Sequence, residues 1–201
     1  MLAIIDYDAG NIRSVVNAFK YVGTDACVTR DPNEIRRADH VVLPGVGAFG
    51  DAMQKLEEYN LTGVIRDVAN SGTPFMGICL GLQLLFDSSD ESKGVEGLGI
   101  LRGKIKRIPD NGTLKVPQIG WNSLKYPNKG RLFNGIDEGA YVYFVHSYYL
   151  DADDKGIVTA TTEYGTVIDA SVEQGNVFAC QFHPEKSSDV GMEILKNFLS
   201  V

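Results

Sequence analysis

Phe75-Met76-Gly77-Ile78-Cys79-Leu80-Gly81-Leu82-Gln83-Leu84-Leu85-Phe86 decides how the rest of the chain is read. Phe75 to Ile78 is a short apolar run of the kind that makes a buried strand, and Leu80 to Phe86 continues as a helix. Between them stands G-x-C-x-G, the cysteine form of a nucleophile elbow. A sharp strand-to-helix turn brings backbones close together, so Gly77 and Gly81 remove side chains that would collide and leave the Cys79 sulfur at the carboxyl edge of a sheet. A position at a helix start also favours thiolate over thiol.

Working outward, strand-like runs alternate with helical stripes through the first half. Leu2 to Ile5, Ala26 to Thr29 and His40 to Leu43 read as strands. Ile12, Val15, Val16, Phe19 and Val22 form one apolar stripe at helical spacing, after the turn Asp8-Ala9-Gly10; Phe49, Ala52, Met53, Leu56 and Tyr59 form another. This alternation predicts an α/β fold, a mostly parallel central sheet with helices on both faces. After Phe86 the texture changes to a Ser-, Asp- and Gly-rich loop and then to alternating segments such as Gly103 to Ile108, which predict an antiparallel extension of the sheet. Tyr141 to Val145, Ile157 to Thr161 and Val177 to Phe182 are further expected strands, and Val190 to Leu199 a closing helix. With 201 residues and no repeat or linker, residues 1–201 are expected to form one domain.

His183-Pro184-Glu185 supplies the partners that a thiol nucleophile needs. Proline pushes the preceding residue to extended geometry, and residues two apart on extended chain project to the same side. His183 is then the expected base and Glu185 the carboxylate that orients it, a Cys79-His183-Glu185 triad. Pro44-Gly45-Val46-Gly47 follows a strand and offers backbone N–H groups; Val46 and Gly47, with Leu80, are the expected oxyanion donors. Gly45-Val46-Gly47-Ala48-Phe49-Gly50 also satisfies G-x-G-x-x-G, but it follows a later strand than a dinucleotide site requires, and the elbow claims the same sheet edge.

Composition narrows the partners. Lys and Arg total 19 against 26 Asp and Glu, a formal charge of -7, so the basic surplus that binds a phosphate backbone is missing. The N-terminus has no basic flank and no apolar run approaches a membrane span, which predicts a soluble cytoplasmic chain. Three cysteines make no disulfide framework; Cys27 and Cys180, inside strand-like runs, are expected in the core. No Cys and His spacing suggests a metal, and His40 and His146 read as structural.

Together, PGVG, GICLGLQ and FHPE resemble the class I (triad) glutamine amidotransferases, a resemblance that runs through essentially the whole chain. Asp6-Tyr7-Asp8-Ala9-Gly10-Asn11, Pro44 to Asp51, Gly120-Trp121-Asn122, Tyr143 to Tyr148 and Phe182 to Ser188 resemble one branch, the glutaminase subunits of imidazole glycerol phosphate synthases. Leu82, where many relatives have histidine, favours that branch. The resemblance implies a flavodoxin-like domain with no cofactor, in which Cys79 forms a thioester with glutamine. Gly45, Gln83 and the backbone around His146, Ser147 and Tyr148 would hold the glutamine. It further implies a heterodimer with a (βα)8-barrel cyclase, docked on Asn11, Trp121, Tyr143 and Lys186. That partner would use the ammonia to turn the ribotide PRFAR into imidazole glycerol phosphate and AICAR. An amidotransferase serving another synthase, or a cysteine peptidase-like hydrolase, are the competing readings of the same triad.

Overall fold

The computed structural model describes residues 1–8, 10–110, 112 and 114–201; Ala9, in the expected turn after the first strand, lies outside the described residues, as do Asn111 and Thr113. Among the described residues the first half runs β1 (Leu2–Ile5), α1 (Ile12–Tyr21), β2 (Ala26–Thr29), α2 (Pro32–Arg36), β3 (His40–Gly45), α3 (Phe49–Glu58), α4 (Leu61–Ser71), β4 (Phe75–Cys79) and α5 (Leu80–Leu84). The second half runs β5 (Ser88–Ser89), β6 (Gly103–Arg107), β7 (Gln118–Ser123), β8 (Tyr141–His146), β9 (Tyr148–Ala152), β10 (Val158–Glu163), β11 (Val167–Gln174), β12 (Val177–Cys180) and α6 (Ser188–Leu199).

The main sheet has the order β2-β1-β3-β4-β12-β11-β9-β6-β5, with β10 beside β11. From β2 to β12 every pairing is parallel, the flavodoxin-like order when β12 is counted as the fifth parallel strand. From β12 through β11 and β9 to β6 the pairings are antiparallel, the extension expected from the sequence. Strands β7 and β8 form a separate two-stranded ribbon.

Because side chains alternate along a strand, each parallel strand feeds two cores. Ala3, Ile5, Val41, Leu43 and Phe75 pack on one face with Phe49, Met53 and Leu56 of α3 and Leu61, Ile65 and Val68 of α4. Leu2, Ile4, Val42, Met76, Ile78 and Phe178 pack on the other with Val15 and Phe19 of α1 and Ile194, Leu195 and Phe198 of α6.

Two expectations need correction. Helix α5 stops at Leu84 instead of running to Phe86. Beyond it the amides of Leu98, Ile100 and Gly99 take the carbonyls of Leu84, Leu85 and Phe86 at 2.8, 2.9 and 3.3 Å, so the returning loop replaces the next helical turn. Cys27 is only half-buried, with its Sγ 3.9 Å from Glu34 Oε2, because β2 is the outermost strand of its sheet. Cys180 is buried as expected.

Candidate active site

The carboxyl ends of β1, β3, β4 and β12 lie side by side, and each delivers one piece of the site. At the end of β4, Cys79 adopts φ 56 and ψ -110, outside the regions that residues with a Cβ ordinarily populate. The neighbouring glycines make this turn possible. A Cβ on Gly77 would stand 2.7 Å from the Gly81 carbonyl oxygen, and one on Gly81 would collide with the Leu43 carbonyl. Leu80 is the first residue of α5, so its amide has no acceptor within the helix.

Past β12, the His183 amide donates to the Tyr143 carbonyl at 2.9 Å. The Ser187 hydroxyl donates to the His183 carbonyl at 2.6 Å and accepts from the Tyr143 amide at 2.9 Å. His183 is thus clamped to β8 from both sides. Its Nδ1 meets Glu185 Oε1 at 2.8 Å, with both side chains almost wholly buried. Burial works against a charged imidazole, but the hydrogen-bonding neighbours Cys79 and Glu185 outweigh it and push His183 up to about 10. Nε2 is buried without a well-aligned partner among the described residues, the looseness expected of a catalytic contact before substrate binds.

A cavity of about 270 Å³ lies over these groups, lined by Val46, Gly47, Cys79, Leu80, Gln83, Glu91, Val145, His146, Ser147, Tyr148 and His183. The structure therefore brings together every expected triad, oxyanion and substrate-site residue except Glu185 and Gly45. Glu185 stands behind the imidazole. Gly45 belongs to the packing beneath the loop, where a Cβ would meet the Tyr7 hydroxyl at 2.5 Å and Leu80 Cβ at 2.9 Å. Tyr7 is buried and donates to the Pro44 carbonyl at 2.8 Å, which props up the Val46–Gly47 loop.

Gln83 gives its amide protons to the Tyr148 carbonyl at 3.1 Å and to Gln181 Oε1 at 3.0 Å, leaving its own Oε1 without a protein donor among the described residues. His146 is pushed down to about 4, chiefly by burial, and is neutral near pH 7. Its Nδ1 lies 2.8 Å from the Tyr148 carbonyl and must donate, so Nε2, 2.9 Å from the Gln118 side-chain amide, accepts. The atom placed there is Gln118 Oε1, and two acceptors repel, so the amide is turned to present its NH2 to the ring. His40 packs edge-on against Phe198, 5.3 Å between centroids.

Glu91 was not singled out in the sequence, where Ser88-Ser89-Asp90-Glu91 reads as an ordinary polar loop. Its Oε2 accepts from the Phe49 amide at 2.8 Å, and Ser92 Oγ accepts from Gly50 at 2.9 Å. The start of α3, where a dinucleotide pyrophosphate would sit behind G-x-G-x-x-G, is filled by an acid and a hydroxyl. Among the described residues lining the cavity, Glu91 is also the one carboxylate.

The four residues expected at a partner face are at least partly exposed. Trp121 and Tyr143 are opposite each other in the ribbon, with ring centroids 6.1 Å apart, and Lys186 Nζ lies 5.9 Å over the Tyr143 ring. Asn11 precedes α1, which packs against the Pro184–Lys186 turn. Ile119 and Tyr141 enlarge this surface. Among the described residues no group of His, Cys, Asp and Glu is placed to hold a metal, and no helix is long and apolar enough to cross a membrane.

Known proteins resemble this chain along its length. The family model "Glutamine amidotransferase class-I" matches residues 3–201. The imidazole glycerol phosphate synthase subunit HisH of Bacillus cereus is 51% identical over 201 residues, which cover 100% of this chain and 95% of that protein. The HisH subunit of Moorella thermoacetica is 52% identical over 197 residues, covering 98% and 93%. The structure of PurLQS from Thermotoga maritima superimposes with a TM-score of 0.77 at 21% identity, covering 99% of this chain and 97% of that one, a likeness of fold. The chain belongs to the class-I glutamine amidotransferase family.

Proposed function

We propose that this chain is the glutaminase subunit of an imidazole glycerol phosphate synthase, with residues 1–201 acting as one catalytic domain. The observation that carries the mechanism is the buried Glu185–His183 pair facing Cys79 across a cavity of about 270 Å³. That volume falls just below the range of small-ligand sites, roughly 300–1,000 Å³, and suits a free amino acid better than a peptide.

In this reading the Cys79 thiolate attacks the side-chain carbonyl carbon of glutamine. The Leu80 amide and the Val46–Gly47 loop hold the developing oxyanion. His183, as imidazolium, protonates the departing nitrogen, and ammonia leaves a glutamyl thioester. Neutral His183 then takes a proton from water, whose oxygen attacks the thioester and releases glutamate. Glu91 and the unpaired Oε1 of Gln83 would accept from the substrate's α-ammonium, and the backbone of Ser147 and Tyr148 would hold its carboxylate end.

Ammonia near neutral pH is mostly protonated in water and loses its nucleophilicity, so it must pass through a shielded interface. We assign that interface to the face of Trp121, Tyr143, Lys186 and Asn11, and the partner to a (βα)8-barrel cyclase that makes imidazole glycerol phosphate and AICAR from PRFAR. Both subunits would work in the cytoplasm. Cys79→Ala is expected to lower glutamine-dependent synthesis by the complex on the order of 10⁴-fold or more. Synthesis from ammonium salts should persist. Loss of both activities from an intact complex would remove this division of labour.

A further inference from the structure

Gln181 lies two residues before His183 and is fully buried. Its backbone amide is tied to the Ala170 carbonyl at 2.9 Å, so the side chain has a fixed origin. From there Nε2 donates toward the Cys79 sulfur at 3.8 Å, while Oε1 accepts from Gln83 at 3.0 Å. Gln83 spends its other amide proton on the Tyr148 carbonyl. The pair is therefore ordered in one sense. Turned by 180°, the Gln181 amide would set its oxygen against the sulfur and its NH2 against the NH2 of Gln83.

The direction matters because an N–H donor aimed at sulfur favours the charged thiolate, whereas an oxygen in the same place opposes it. The titratable groups around the sulfur come from several elements, with His146 and Tyr148 on the cavity wall and Glu185 behind His183. His183 comes from the turn after β12, Cys180 from β12 itself, and Tyr7 from the end of β1; Glu91 lies on the cavity wall. Burial pushes both Cys180 and Tyr7 up, which keeps them neutral around pH 7. Among these side chains, the Gln181 amide is the neutral one with an N–H directed at the sulfur.

We propose that Gln181 is a positioning residue for the nucleophile: its amide N–H is aimed at the Cys79 sulfur and stabilises negative charge that develops there, and Gln83 fixes the direction of that amide. The inference rests on Cys79 being the nucleophile, and it gives Gln83 a second task besides facing the substrate.

The test is the rate of Cys79 alkylation by iodoacetamide as a function of pH, in the full chain and in Gln181→Met and Gln181→Glu. Methionine keeps most of the volume and removes the donor. Its alkylation rate at pH 7 should fall about tenfold, with the pH profile displaced upward, and kcat for glutamine hydrolysis should fall more than KM rises. Glutamate, which places an anion against the sulfur, should fall further. A methionine variant whose profile superimposes on that of the parent overturns the proposal. Should the variants fail to fold, the Gln181 side-chain amide resonances of the parent protein decide: they should move on alkylation of Cys79, and unmoved resonances overturn the idea. Parental glutaminase activity in Cys79→Ala would instead defeat the nucleophile reading, while the alkylation comparison would still report on Gln181.

Discussion

Cys79 is held at positive φ by its surroundings, at a cost of about 1–3 kcal/mol for such a conformation, and the same economy of means places His183. Ser187 is the small residue that does this: fully buried, it bonds the His183 carbonyl and the Tyr143 amide with one hydroxyl. Ser187→Ala leaves the Tyr143 N–H without its acceptor, which should destabilise the chain by roughly 1–3 kcal/mol. Urea denaturation measures this loss, and glutaminase kcat should fall with it as the imidazole loses its clamp. His146 provides the pH dependence. Its folded value is depressed from 6.5 to about 4, so the unfolded chain takes the proton first and stability falls as pH drops through that window. The loss is about 3 kcal/mol at ~1.4 kcal/mol per unit. His183, raised to about 10, has the opposite sign: its contribution is complete below 6.5 and is lost as pH rises toward 10. Below 6.5 it is constant, so the acid limb reports on His146 together with His40, whose value burial also lowers. Denaturation at pH 7 and at pH 4.5 should differ less in His146→Gln than in the parent chain.

At the scale of elements, the β7–β8 ribbon has two unlike faces. Residues directly opposite in an antiparallel pair point the same way. Val142, Phe144 and His146 point inward and are buried, while Ile119, Trp121, Tyr141 and Tyr143 point outward. Trp121 is 51% exposed, Tyr141 59% and Ile119 63%; an apolar cluster of this kind is the surface proposed above to meet the partner. The inner face carries the Gln118–His146 contact to the cavity, and the Tyr143 backbone carries the bonds to His183 and Ser187. A partner on the outer face would therefore press on the same strand that aligns the base. Trp121→Ala should weaken binding of the proposed barrel partner about tenfold or more, as central aromatic anchors do, with little change in the urea midpoint. Titration calorimetry against the barrel subunit measures the first and denaturation the second.

Across the whole molecule, function follows from four parallel strands ending at one edge. Those ends converge because all their crossovers run over the faces of the sheet, which leaves the carboxyl edge to loops. The Val46–Gly47 loop, proposed to hold the oxyanion, is open to solvent at that edge: Val46 is 42% exposed, and Gly47, at φ 100, would meet nothing within 4 Å if it had a Cβ. That room permits the loop to change which amide faces the substrate. Glutaminase activity of the isolated chain should rise on the order of 10²-fold, the worth of one oxyanion donor, when the barrel subunit and its ligand are both present. Steady-state rates of the two forms check this, and equal rates would remove the coupling.

Local chemistry made the elbow, the His183–Glu185 spacing, the first four strands and the stripes of α1 and α3 legible from sequence alone, because period, glycine placement and the proline constraint act over a few residues. Helix α4 escaped although Leu61, Val64, Ile65 and Val68 lie at helical spacing, since it follows α3 without a strand between them. Strands β7, β9 and β11 mix polar and apolar residues, and only their pairing partners make them strands. Glu91, Gln181 and Ser187 acquired their roles in the same way, through contacts with residues 42, 102 and 44 positions distant. The sequence determined which groups could do the chemistry; the tertiary structure decided which amide, acid and hydroxyl stand against them, because hydrogen-bond partners far apart along the chain meet only after the sheet has brought its strand ends together.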